Sequence, residues 1–197
     1  MIVGLLVAGA AALLLGWGYL ERQSNWGVVV PGRIYRSAEV SQFLIRQKLT
    51  GYKIGTIVYL SRDGDNNTSM MKERQVAAEL NVPILEFPMN GDGLARPDRY
   101  SAALQAVYDA TRQGKPVLIH CHSGAQRTSG VVAVYRVLVE GKSTREAVAE
   151  MKQYGHDPKK NPLLIPFLNE HLAEWARELT ARGIITGVPQ PRPRFTE

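Results

Sequence analysis

Residues 120–130 read His-Cys-His-Ser-Gly-Ala-Gln-Arg-Thr-Ser-Gly. A cysteine and an arginine stand with five residues between them, after an apolar run and before a helical pattern. A loop at such a place turns several backbone N–H groups into one concavity, which suits a phosphate-sized dianion. Gly124 lets the backbone bend inward with no side chain in the way. Arg127 offers a planar fork for two phosphate oxygens. The expected cradle is His122, Ser123, Gly124, Ala125, Gln126 and Arg127. Cys121 lies at its base, where the same dipoles and the guanidinium favour its thiolate. A thiolate beneath a bound phosphate is an in-line nucleophile. Thr128 is expected to hydrogen-bond the sulfur. His120 is expected to order the loop from behind through backbone contacts.

Phosphoryl transfer to sulfur also needs an acid for the departing oxygen. Asp92 is the first candidate, between Gly91 and Gly93 on a loop that leaves the preceding strand. Asp98 is its rival, although its place before a helical pattern reads better as a cap. Asp63 and Asp65 read as turn residues on a loop that could border the cleft.

These residues need a scaffold. Trp26–Ser37 reads as a hairpin about Pro31-Gly32. Ser41–Leu49 reads as a short helix capped by Ser41. Ile54–Leu60, Val82–Phe87 and Pro116–His120 read as strands, the last a continuous apolar run of the kind covered on both faces. Helices are expected over Met70–Leu80, Asp98–Arg112, Arg127–Glu140, from Ser143 as cap to Tyr154, and over Leu163–Arg182. Val131, Val132, Val134, Val137 and Leu138 read as core. Alternating strands and helices predict an α/β domain with a largely parallel central sheet flanked by helices. Its binding crevice is expected beyond the carboxyl ends of the strands.

The loop resembles the signature of the cysteine-dependent protein tyrosine and dual-specificity phosphatases. That signature, His-Cys, five residues, then Arg-Thr/Ser, is met at His120, Cys121, Arg127 and Thr128. Arg33-Ile34-Tyr35-Arg36-Ser37-Ala38 looks like the leading segment of their compact bacterial and plant members. Asp92-Gly93 looks like their general-acid loop. The resemblance runs from Trp26 to about Leu172, within a single phosphatase domain expected over residues 26–182. It implies hydrolysis of a phosphorylated protein, or another phosphomonoester, through a phosphocysteine and without metal or cofactor. A membrane-tethered phosphatase of phospholipids or other small molecules, and a phospho-binding module that no longer catalyses, are the alternatives. Ser129 stands where many relatives have glycine, a change expected to alter packing more than chemistry. No lysine occupies His122, Ser123, Ala125 or Gln126, which argues against highly charged inositol phosphates.

Composition sets outer limits. One cysteine among 197 residues excludes an internal disulfide and a zinc site built on several cysteines. His120 and His122 flank Cys121 too tightly to converge on one metal ion. Eleven prolines exclude a long coiled coil, and a net charge of +6 without a base-stacking aromatic stripe does not indicate a nucleic-acid partner. Met1–Leu20 carries no charged side chain and ends near Trp17 and Tyr19. It is expected to be a single-pass transmembrane anchor. A signal sequence cleaved near Gly16-Trp17-Gly18 and a buried core helix are the competing readings. Arg22, Arg33 and Arg36 lean the domain toward the cytoplasmic side, with a periplasmic placement open. His156 and His171 read as surface or capping residues. The Pro-rich tail Gly187–Glu197 reads as extended and frayed. Nothing in the sequence bears on oligomeric state.

Overall fold

The computed structural model of the chain describes residues 15–21, 23–61 and 68–196. Five strands form one sheet: β1 (Gly27–Val30), β2 (Ile34–Ser37), β3 (Thr56–Tyr59), β4 (Ile84–Glu86) and β5 (Val117–His120). Their order is β1-β2-β5-β3-β4. The hairpin β1–β2 is antiparallel and the other pairings are parallel. Among the described residues, the helices that surround it are α1 (Ile45–Gly51), α2 (Thr68–Glu79), α3 (Pro97–Arg112), α4 (Arg127–Leu138), α5 (Thr144–Gln153) and α6 (Leu164–Ala181).

Side chains alternate across the central strands, as the two-residue period of a strand demands. Ile34, Val58, Val117 and Ile119 face one core, shared with α3, α4, α5 and α6. Tyr35, Ile57 and Leu118 face the other, shared with α1 and α2. This double covering explains why Val117–His120 is apolar at consecutive positions instead of alternating with polar ones. Register then places the chemistry. Ser37 of β2 and Tyr59 of β3 pair with His120 of β5, so three strands end side by side. The segments that leave them meet at one place, just beyond Cys121.

The helices follow local sequence closely. Pro97 opens α3 where its missing N–H costs nothing. Ser143 caps α5 with Glu146 in a reciprocal capping box. Ser41 does not cap α1. Its backbone carbonyl accepts the N–H groups of Leu44 and Ile45, which moves the helix start to Ile45. Asp98 lies inside the first turn of α3 and pairs with Arg96, the residue at the cap.

The tail is pinned near its end rather than frayed there. Phe195 is buried, and Asn169 of α6 bonds both its N–H (2.8 Å) and its carbonyl (2.9 Å). An apolar side chain near the terminus found a place in the main core, and composition does not reveal that. A cavity of about 780 Å³ opens between α6 and this tail, and no cradle residue lines it.

The expected anchor, Met1–Leu20, lies mostly outside the described residues. Residues 15–20 of it are helical, within a turn that continues to 21, and Leu20 packs against the core beneath α1 and α2. Among the described residues, no helix is long and apolar enough to cross a membrane. Asp63 and Asp65 also lie outside the described residues.

Candidate active site

β5 delivers Cys121 to the foot of the loop, and α4 begins at Arg127. Cys121 is buried, and the N–H of Gly124 points at its Sγ from 3.2 Å. The first N–H groups of α4 have no intrahelical acceptor and add partial positive charge on the same side. Arg127 is buried at the first position of α4, and its Nε has no hydrogen-bond partner. An orphaned, buried guanidinium N–H at the end of the loop that begins at Cys121 fits a place for an anion.

The loop's backbone is held from outside. The carbonyl of His122 accepts the N–H of Glu39 (3.0 Å). The carbonyl of Gly124 accepts Nη2 of Arg36 (3.0 Å). The N–H of His122 donates to the Ser61 hydroxyl (3.2 Å). Gly124 has φ +70°, and a Cβ there would stand 2.8 Å from Ser37 O and Ala38 N. Backbone cannot give way as a side chain can, so the loop requires glycine at this position.

Arg36 is the largest part of the site that spacing alone does not single out. It is almost fully buried on β2, with Nη2 also 2.6 Å from Ser129 Oγ and Nη1 3.4 Å from Glu150 Oε1. Its guanidinium lies 3.7 Å from the centre of the Tyr154 ring. Burial pulls its pKa down to about 10, against the opposing pull of Glu150 and Tyr154. It therefore remains a cation at neutral pH. Ser129 thus does more than fill space where relatives have glycine: it accepts a hydrogen bond from the cation beneath the loop.

Three supporting residues differ from expectation. The Thr128 hydroxyl is buried and makes no hydrogen bond, so the expected bond to sulfur is not formed. The recorded donor to Sγ is Gly124. His120 acts through its side chain as well as its backbone: Nε2 lies 2.9 Å from Oε1 of the buried Glu73 on α2, and its ring packs on Tyr59. Leu60 donates to its carbonyl (3.0 Å). His156 is not a surface residue. It is buried, with Nδ1 2.6 Å from Oε1 of Gln126. His171, by contrast, is partly exposed and pairs with Glu174.

Asp92 is exposed on the loop after β4, and its Oδ1 accepts the N–H of Leu94 (3.0 Å). The neighbouring Gly93 joins this loop to the cradle. It has φ +92°, and a Cβ there would come 3.3 Å from the carbonyl carbon of Gln126. Tyr100 of α3 donates to the Gly93 carbonyl (2.6 Å) and stacks on Trp175. Burial raises the Tyr100 pKa, and the charges of Asp92 and Cys121 raise it further. Its hydroxyl therefore stays a donor. Asp98 points into an exposed pair with Arg96 instead. Among the described residues, no group of three or more His, Cys, Asp and Glu is placed to hold a metal ion.

A family model described as "DSP-PTPase phosphatase fused to NAD+ Kinase" matches residues 34–162, more than half of the chain. The chain belongs to this DSP-type protein tyrosine phosphatase family. The dual specificity protein phosphatase TpbA of Pseudomonas aeruginosa is 30% identical over 124 residues, 62% of this chain and 51% of that protein. The chain thus spans about half the length of this relative. The crystal structure of P. aeruginosa TpbA in complex with pTyr matches with a TM-score of 0.62 at 21% identity, covering 79% of this chain and 95% of that one. The core catalytic domain of the PP-IP phosphatase SIW14 from S. cerevisiae matches with a TM-score of 0.63 at 18% identity, covering 86% and 96%. Both likenesses show the phosphatase fold, a mostly parallel sheet flanked by helices.

Proposed function

We propose that the chain hydrolyses phosphate monoesters through a phosphocysteine, with phosphotyrosine on a protein as the substrate. The observation that carries this reading is the Gly124 N–H on Cys121 Sγ, in a loop that ends at the buried and unpartnered Nε of Arg127. The substrate phosphate occupies the cradle of residues 122–127. The Cys121 thiolate attacks phosphorus in line. The bond to the leaving oxygen breaks, and Asp92 gives that oxygen its proton. Water then attacks phosphorus, Asp92 takes a proton back, and the sulfur leaves as thiolate with inorganic phosphate released.

The pTyr complex of TpbA supports the substrate class. So does the cradle rim. His122 pairs with the Glu39 carboxylate (3.2 Å), and no lysine projects from the loop. A carboxylate at the mouth disfavours polyanions such as inositol polyphosphates. Residues 1–20 fit a membrane anchor, supported by twenty residues without a charged side chain and by exposed Leu15, Trp17 and Tyr19. The arginines that follow favour a cytoplasmic domain.

The test is hydrolysis of p-nitrophenyl phosphate and of phosphotyrosine, phosphoserine and phosphoinositide substrates in excess chelator. Turnover is expected, highest on phosphotyrosine, and absent from Cys121→Ser. Cys121→Ser turning over like the intact chain overturns the mechanism. A preference for phosphoinositide overturns the substrate class.

A further inference from the structure

Asn25 lies before the residues that the family match covers, between the apolar N-terminal run and β1. Its backbone has φ +45°, a left-handed conformation that non-glycine residues adopt seldom and asparagine most readily. Its Nδ2 lies 3.2 Å from the carbonyl oxygen of Ser123 in the cradle and 3.2 Å from that of Tyr154, just past α5. An amide NH2 carries two hydrogens, one for each carbonyl.

The peptide unit explains why this contact matters. The carbonyl of Ser123 and the N–H of Gly124 belong to one planar trans peptide, so they point in opposite directions. The N–H end is the group aimed at Cys121 Sγ from 3.2 Å. A donor that holds the carbonyl end outward therefore holds the N–H end on the sulfur. The segment that carries Asn25 is itself fixed. Ser24 accepts the Ala38 N–H (2.7 Å), and Glu21 pairs with Lys48 (2.6 Å).

We propose that Asn25 is a positioning residue of the active site, which aims the Gly124 N–H at the Cys121 sulfur and at the phosphate it meets. The N-terminal segment is thereby part of the anion site, although it touches no substrate. This proposal rests on the phosphatase reading for its consequence in turnover, but not for its test.

The informative variant of the full chain is Asn25→Gly. Glycine adopts the left-handed backbone without strain and removes only the amide. Cys121 alkylation by iodoacetamide at neutral pH is expected to slow about tenfold in the folded chain and to be unchanged in the urea-unfolded chain. Protection of Cys121 by inorganic phosphate should need about tenfold more phosphate. Asn25→Asp, of the same shape but without a donor, should behave alike if Asn25→Gly melts early. Unchanged alkylation and unchanged phosphate protection in both variants overturn the proposal. Slowed alkylation with unchanged phosphate protection also overturns it, since lost access to Cys121 would then be the cause. An intact chain without turnover removes the phosphatase reading and leaves this comparison standing.

Discussion

Glu73 Oε1 lies 2.9 Å from His120 Nε2, and neither side chain touches solvent. The pair ties the middle of α2 to the last residue of the strand that presents the nucleophile. Glu73→Ala leaves a buried imidazole without its partner and is expected to cost about 1–3 kcal/mol. Glu73→Gln keeps an acceptor of the same shape and should recover most of that. Urea unfolding of the two variants checks this, and equal stabilities would refute it.

Arg36 tests whether the loop's shape depends on what lies beneath it. Arg36→Lys keeps the charge but cannot reach Gly124, Ser129 and Glu150 together, because an ammonium is not a planar fork. Phosphatase activity is expected to fall at least about tenfold, with a stability loss of about 2 kcal/mol. Arg36→Ala should cost about 3 kcal/mol, since it leaves the Gly124 carbonyl and the buried Ser129 hydroxyl without their donor, while Glu150 keeps Arg136 (2.7 Å). Activity of Arg36→Lys equal to that of the intact chain would place the loop's order elsewhere.

The α5 cap responds to acid. Hydrogen bonds from the Ser143 hydroxyl (2.7 Å) and the Ser143 N–H (3.0 Å) lower the pKa of the exposed Glu146. A carboxyl whose folded pKa is depressed stabilises fully above its unfolded value and loses that contribution as pH falls through the folded one. Amide-exchange protection in the first turn of α5 should therefore hold at neutral pH and decline below the usual glutamate range. Glu146→Gln should flatten that dependence, measured by hydrogen exchange across acid pH.

The tail should contribute stability without touching chemistry. Phe195→Ala empties a buried aromatic site and is expected to cost about 3 kcal/mol. Asn169→Ala removes both hydrogen bonds to Phe195, and the two changes together should be less than additive because they undo one contact. Thermal melting measures this. Hydrolysis of p-nitrophenyl phosphate well below the melting temperature should stay unchanged.

What was legible in the sequence follows the range of the interactions involved. The apolar run 117–119 and the signature His120–Thr128 are local, and β5, α4 and the cradle lie where spacing puts them. The capping box of Ser143 and Glu146 is three residues long and equally readable. Arg36, Glu73 and His156 are not local: each meets its partner across 30 or more residues. A polar residue on a buried face leaves some trace. Glu73 follows Met70 by three and precedes Val76 by three, on the apolar stripe of α2. That pattern says Glu73 is inside, but not that His120 awaits it. Thr128 differs for a related reason: spacing puts it at the second position of α4, while the orientation of its hydroxyl depends on packing that spacing does not specify.

The carbonyls of the cradle are gripped by Glu39 and Arg36, which lie outside the five variable positions between Cys121 and Arg127. The loop is therefore framed largely by main chain and neighbours; of its own side chains the Ser123 hydroxyl accepts the Ala125 N–H (3.4 Å), while those of His122 and Ala125 hold none of its carbonyls. On the proposed function, substitution at His122 or Ala125 is expected to change which phosphoester is admitted while the main-chain frame of the loop stays. On that reading, selectivity and reactivity would be separately evolvable, divided between side chain and main chain of the same short loop.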